Sequence, residues 1–180
     1  MKRTEQDRRR FEALFTTHGP DVVAYCGWRA PSASDAQDAA ADVFLTAWRR
    51  LEAVPEGDAA RVWLYATARK VIANQRRSGR RLAALRERIA REPERITEES
   101  GEEALVHEAL GRLGGRDREV LLLAEWEELS PAEIAAVVGC LTVTARGRLH
   151  RARRRFRAVF EDLRRREARN TFAKEVHEHV

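Results

Sequence analysis

Two rows of side chains in this sequence have the chemistry to hold nucleic acid. The first is Trp63, Thr67, Lys70, Asn74 and Arg77, which recur at three- and four-residue steps and so share one helix face. An aromatic ring, an amide and two cations along one outer face offer stacking surfaces for bases and charge for phosphates. Single-stranded nucleic acid needs both. The second row lies in GRLHRARRRFR, residues 147–157, where six arginines fall within ten positions. On a helix, Leu149, Ala152, Phe156, Val159, Phe160 and Leu163 make a buried stripe there, leaving Arg146, His150, Arg151, Arg153, Arg154 and Arg157 on the outer arc. So dense a row of like charge repels itself, and a polyanion relieves it. Near the start of such a helix an arginine can bond a guanine edge twice; later arginines neutralise phosphates.

Catalysis finds no comparable set in the sequence. There are no paired carboxylates in a plausible cleft, no nucleophile with a partner histidine and no glycine-rich phosphate loop. His177 and His179, at i and i+2, do not share a helix face, so they make a poor metal pair. The sequence therefore predicts a protein that is not an enzyme and takes no metal or cofactor. Cys26 and Cys140 sit in apolar helical patterns without metal-like spacing, as small buried residues do in a reducing compartment. No stretch approaches the ~20 apolar residues of a membrane span, and MKRTEQDRRR lacks the apolar core of a signal peptide. A cytoplasmic, nucleoid-associated protein is expected.

The elements that position these rows are helical. Ala, Leu, Arg and Glu dominate a 180-residue chain that is 35% charged, and long β-branched or aromatic runs are missing. The net charge of +5 hides an uneven spread, with arginine blocks toward both ends and glutamates between. The expected fold is all-α: two small helical bundles, residues 6–81 and 104–166, joined by a flexible acidic linker, residues 82–103, and followed by a frayed tail, 167–180. The linker carries seven glutamates and a break at Pro93.

In the first bundle, Phe11, Leu14, Phe15, Val22, Tyr25 and Cys26 form an apolar stripe interrupted by His18-Gly19-Pro20. Ser34 with Gln37 fits a capping box for the next helix, whose buried face is Ala40, Val43, Phe44, Ala47, Trp48 and Leu51. Asp38, Asp42, Leu45 and Arg49 fall on the opposite face, where a leucine among charges suits either an innocuous surface or a docking patch. A turn at Pro55 and Gly57 leads to a helix over 61–81 with core residues Leu64, Ala68, Val71 and Ile72. In the second bundle, Val120, Leu121, Leu123, Ala124 and Trp126 supply a supporting core helix. Ser130-Pro131-Ala132-Glu133 starts a short helix that stops at Gly139, and a longer basic helix begins near Thr142. That succession is the pattern of a helix-turn-helix.

Together the stretches FEALFTTHGPDVVAYCGWRA, SDAQDAAADVFLTAWRRL and ARVWLYATARKVIANQRR resemble region 2 of bacterial extracytoplasmic-function (ECF) sigma factors of the sigma-70 family. LGGRDREVLLLAEWEELSPAEIAAVVGC with TARGRLHRARRRF resembles their region 4. The likeness covers about residues 10–165, with both regions in the expected order. It implies a chain that binds core RNA polymerase and directs it to promoter DNA. Region 2 holds the β′ clamp through Asp38, Asp42, Leu45 and Arg49. It melts and reads the −10 element with the 52–60 loop and with Arg61, Trp63, Thr67, Lys70, Asn74 and Arg77. Region 4 sits on the β-flap and reads the −35 duplex: Arg146, His150 and Arg151 stand at base-contacting positions and Arg148 and Arg153 serve phosphates. Thr142, Thr144 and Arg154 complete that set. The linker glutamates imitate a nucleic-acid strand near the RNA exit path. An anti-sigma factor is a further partner the resemblance suggests.

Three departures from the family pattern stand out. Ala41-Asp42 replaces a common Gln-Glu. Leu141 stands where proline or serine is common, so the N-cap is expected to move to Thr142. Gly147 replaces a larger residue on the reading face. A stand-alone helix-turn-helix regulator is the alternative reading; it has no need of the Trp63–Arg77 row or the Asp38–Leu45 patch. A helical RNA-binding protein is a third.

Overall fold

Thr4 opens the first helix with both halves of a capping box: its hydroxyl accepts from the Asp7 amide at 3.2 Å, and its own amide donates to the Asp7 carboxylate at 2.9 Å. The computed structural model describes residues 4–85 and 101–178, with side chains described for 4–78 and 101–169. Among the described residues there is no strand. The helices are α1 (Glu5–Gly27), α2 (Ala33–Arg49), α3 (Ala59–Leu85), α4 (Glu102–Arg112), α5 (Gly115–Glu125), α6 (Pro131–Val138) and α7 (Thr142–Glu178), with a 3-10 turn at Leu51–Ala53. They make two compact units. One contains α1–α3 and is grouped with residues 136–139 at the end of α6; the other contains α4, α5, the start of α6, and α7.

In the first unit α1, α2 and α3 pack pairwise on one another. Val22, Tyr25, Cys26, Val43, Ala47, Leu64 and Ala68 are fully buried between them. The Tyr25 and Tyr65 rings stack at 4.8 Å, and the Arg29 guanidinium covers Tyr25 at 3.6 Å from its centroid. Arg29 also donates to the Tyr25 carbonyl at 3.0 Å, while Arg76 of α3 donates to the carbonyl of Arg29. These contacts tie the end of α1 to α3.

Three expectations for this unit change. His18-Gly19-Pro20 does not interrupt α1, which runs through Pro20. A proline forfeits one backbone hydrogen bond, and the burial of Leu14, Val22, Tyr25 and Cys26 on both sides of it holds the helix together. The α2 cap is Ser32, not Ser34: its hydroxyl accepts from the Asp35 amide at 3.1 Å and donates to the Asp35 carboxylate at 2.6 Å. An ionised carboxylate three residues on makes a stronger reciprocal partner than the Gln37 amide. Phe15 is 52% exposed rather than core.

In the second unit α4 and α5 both pack on α7, burying Ala109, Leu110, Val120, Leu121, Leu122, Leu123, Ala145, Leu149 and Ala152. Arg118 of α5 donates to the carbonyls of Leu110 at 2.7 Å and Gly111 at 2.8 Å, satisfying the open end of α4. The start of α6 is as expected: Glu133 accepts from the Ser130 amide at 2.8 Å, and the Ser130 hydroxyl accepts from the Glu133 amide at 3.4 Å. Ser130→Ala is therefore expected to cost about 1 kcal/mol of stability in this unit, read as a lower denaturation midpoint. Gly139, at φ 72°, ends α6 in the left-handed region, and the Cys140 amide reaches back to the Ala135 carbonyl at 3.0 Å.

Here too the structure corrects particulars. Trp126 is 41% exposed at the end of α5 rather than core, because α5 stops at Glu125 and its apolar face is completed by Leu122 and Leu123. Cys140 is half-buried in the α6–α7 turn, not on a helix. The N-cap position of α7 falls on Leu141, whose carbonyl accepts from Ala145 at 3.0 Å, so Thr142 is the first helical residue. Residues 167–178 are not frayed but continue α7. No proline or glycine after Gly147 stops it, and Asp162–Arg166 adds an i,i+4 pair at 3.0 Å. Most of the acidic linker, the side chain of His177, and His179 lie outside the described residues.

Candidate nucleic-acid interface

The Trp63–Arg77 row lies on α3. Its buried side is Leu64, Tyr65, Ala68 and Ile72, with Val71 half-buried. Tyr65 was not legible as core, because its hydroxyl fits an outer position equally well. Lys70, Asn74 and Arg77 are exposed on the other side, and Trp63, Thr67 and Arg61 are half-buried at its start. The Thr67 hydroxyl donates to the Trp63 carbonyl at 2.9 Å, which fixes it along the helix. Arg77 donates to the Asn74 carbonyl oxygen, leaving the Asn74 amide hydrogens as donors.

The row begins beside the 52–60 loop. Gly57, at φ 61°, turns this loop, and amides of Ala60 and Arg61 close it on the Gly57 and Asp58 carbonyls. Arg10 of α1 donates to the Val54 carbonyl at 2.6 Å, and Val54 is buried. The loop is thus anchored at its base while Pro55, Glu56, Gly57 and Asp58 remain exposed.

On α2, Asp38, Asp42, Leu45 and Arg49 are all exposed, as their spacing required. Asp42 accepts from Gln75 of α3 at 3.5 Å. The sequence reading missed what adjoins Leu45. Phe15 lies edge-on to Phe44 at 4.8 Å and Phe11 edge-on to Trp48 at 5.1 Å. With Leu45 these rings line an open apolar groove of about 410 Å³, rimmed by Arg8 and Glu12. Periodicity alone assigned Phe15 to the core. The signal that could have found the groove is the surplus of large rings for so thin a three-helix unit.

The arginine-rich row lies on α7. Arg146, His150, Arg151, Arg153, Arg154 and Arg157 are exposed; Thr142, Thr144 and Arg148 are half-buried. Leu149, Ala152 and Leu163 are buried as expected, with Ala145 beside them, while Phe156, Val159 and Phe160 are half-buried. Two arginines are already engaged. Arg153 bonds Glu125 through Nε and Nη2, both at 2.8 Å, and Arg155 pairs with Asp117. Arg146, His150, Arg151, Arg154 and Arg157 make up the unengaged outer row among the described residues. Among the described residues there is no cluster of three metal-ligating side chains, and no helix is long and apolar enough to cross a membrane.

A helix-turn-helix with a cationic second helix, and a separate helical unit bearing an aromatic–cationic row, define a DNA-binding protein of two parts. Comparison with known proteins gives the family. Sigma-70 region 2 matches residues 14–82, and Sigma-70, region 4 matches residues 103–156. The ECF RNA polymerase sigma factor SigL of Mycobacterium tuberculosis is 30% identical over 159 residues, covering 84% of this chain and 89% of the relative. The RNA polymerase sigma-E factor of Streptomyces antibioticus is 30% identical over 156 residues, 84% of each chain. In fold, the chain is similar to the sigma factor RpoE of Bartonella quintana in complex with the anti-sigma factor NepR. The TM-score is 0.72 at 23% identity, covering 84% of this chain and 96% of that one. CnrH in complex with the cytosolic domain of CnrY matches with a TM-score of 0.63 at 24% identity, covering 86% and 90%.

The chain belongs to the sigma-70 family as an ECF RNA polymerase sigma factor, which directs promoter recognition. Members of this family are not enzymes.

Proposed function

We propose a division of labour within this sigma factor: the α1–α3 unit holds core polymerase and takes the unpaired −10 strand, while α6 and α7 read the −35 element as duplex. The observation that carries this is the difference between the two exposed rows. On α3, half-buried Trp63 leads exposed Lys70, Asn74 and Arg77, a stacking surface followed by an amide between two cations. On α7, Arg146, Arg151 and Arg154 supply donors and charge around one imidazole, His150, with no indole or phenyl ring among them, which suits groove edges and phosphates. Thr142, Thr144 and Arg148 flank that row. Arg153 joins it by exchanging the Glu125 carboxylate for a phosphate, a cheap exchange because an exposed ion pair is worth little.

Asp38, Asp42, Leu45 and Arg49 form the proposed polymerase contact, extended by the groove at Phe15 and Phe44. Exposed apolar surface beside charge is the make-up of an interface core with its rim. An anti-sigma factor is proposed as a further partner, supported by the similar folds of RpoE and CnrH being those of complexes. The place of action is the cytoplasm, at the nucleoid, where polymerase meets DNA.

Run-off transcription with the purified chain, core polymerase and promoter-bearing DNA tests this reading. Specific transcripts that vanish without the chain support it. Duplex binding indifferent to polymerase would instead indicate a stand-alone regulator. Leu45→Asp is expected to weaken polymerase binding about tenfold or more, the worth of burying one leucine side chain, while free-chain stability stays near that of the parent.

A further inference from the structure

Helical spacing puts Val143 in the middle of the outward side of α7. Gly147 is one turn below it, Arg146 and His150 lie to one flank, Arg151 to the other, and Arg154 three turns on. Val143 is 70% exposed, an unusual setting for a β-branched apolar residue flanked by Arg146, His150 and Arg151. Ala145, Leu149 and Ala152 fill the buried side, so packing within the unit makes no use of the valine.

Gly147 supplies an independent observation. Glycine is disfavoured inside a helix, yet nothing in the fold asks for one here: an added Cβ meets only the tip of the Arg151 side chain, at 3.4 Å. The outer face therefore presents an apolar knob directly above a patch of bare backbone, framed by cations. Close approach of another molecule to that patch accounts for both residues.

We infer that Val143 reads the C5-methyl group of a thymine in the −35 duplex, with Gly147 letting the base edge come close. Of the four bases only thymine carries an apolar group in the major groove, and apolar side chains are its natural contact. This inference rests on the assignment of α7 to duplex reading, and it adds the base type that the arginines cannot specify.

The test uses the holoenzyme and a duplex recovered by it from a randomised −35 pool. Each thymine is replaced in turn by deoxyuridine, which removes the methyl and leaves every hydrogen-bonding group in place. At one position the parent is expected to lose about fourfold in affinity, the worth of one buried methyl. Val143→Ala should lose nothing further there, and 5-methylcytosine in place of cytosine should restore no binding to the variant. Selective binding that deoxyuridine leaves unchanged everywhere, or that weakens equally for parent and variant, overturns the inference while the duplex-reading assignment survives. Failure to recover any preferred −35 sequence overturns that assignment, and the inference with it. A thermal melt of Val143→Ala matching the parent confirms that the exposed substitution leaves the fold intact.

Discussion

Trp63→Ala is expected to lower formation of the open promoter complex by about 5- to 150-fold, the range that one base–aromatic stack supports. Binding to a fully paired −35 duplex should change by less than about twofold. The asymmetry follows from where the ring stands. Trp63 is half-buried in the first turns of α3, after the loop that Arg10 anchors through Val54. Its neighbour Thr67 spends its hydroxyl hydrogen on the Trp63 carbonyl, so it is no substitute donor for a base. Lys70, Asn74 and Arg77 can still attract the backbone, but attraction alone does not compensate an unstacked base. Fluorescence of 2-aminopurine placed in the −10 element follows opening directly. Trp63→Phe should recover much of the lost opening, since it keeps a π-face. Equal loss of opening and of −35 binding would refute separate roles for the two units.

Arg151→Ala is expected to cost about 1–3 kcal/mol at one base pair and to relax preference there, leaving the other positions of the −35 element nearly unchanged. Arg151 is exposed, and its guanidinium lies alongside Gly147 rather than against a carboxylate, so it is available for a two-pronged bond to guanine. Arg153 makes the useful contrast. It is held by Glu125, and its replacement should weaken all sequences alike. A binding matrix over single-base variants of the element distinguishes the two. A uniform loss for Arg151→Ala would make it a phosphate contact.

Much of this arrangement was legible in the sequence because local chemistry and long-range packing agree there. Ser130, Pro131, Glu133 and Gly139 bound α6 with their own side chains or backbone freedom, so no partner is needed to place it. The α7 stripe repeats often enough to separate Leu149 and Ala152 from the arginines without knowing what covers them. Legibility failed where two local signals competed or where tertiary contact outweighed a local rule. Ser32 and Ser34 both stand three residues before a side chain able to reciprocate, and only the carboxylate of Asp35 decides between them. Pro20 signals a break that packing on α2 and α3 overrides. Phe15 and Trp126 obey helical spacing yet stay exposed, since periodicity says which side a residue faces and not whether that side is covered. For the interface rows, spacing placed Lys70, Asn74 and Arg77 correctly outward, but it could not reveal which arginines already have acidic neighbours.

Those neighbours have a thermodynamic consequence. Arg153 and Arg155 enter the proposed complex carrying Glu125 and Asp117 as resident anions. A phosphate that takes over the Arg153 guanidinium frees a tethered carboxylate, which then holds a mobile cation in place of one that the DNA gives up. The affinity should accordingly fall less steeply with added electrolyte than a tally of basic residues on α7 suggests. The exchange at Arg153 is the same on any DNA, which leaves the discrimination to the few side chains that touch base edges.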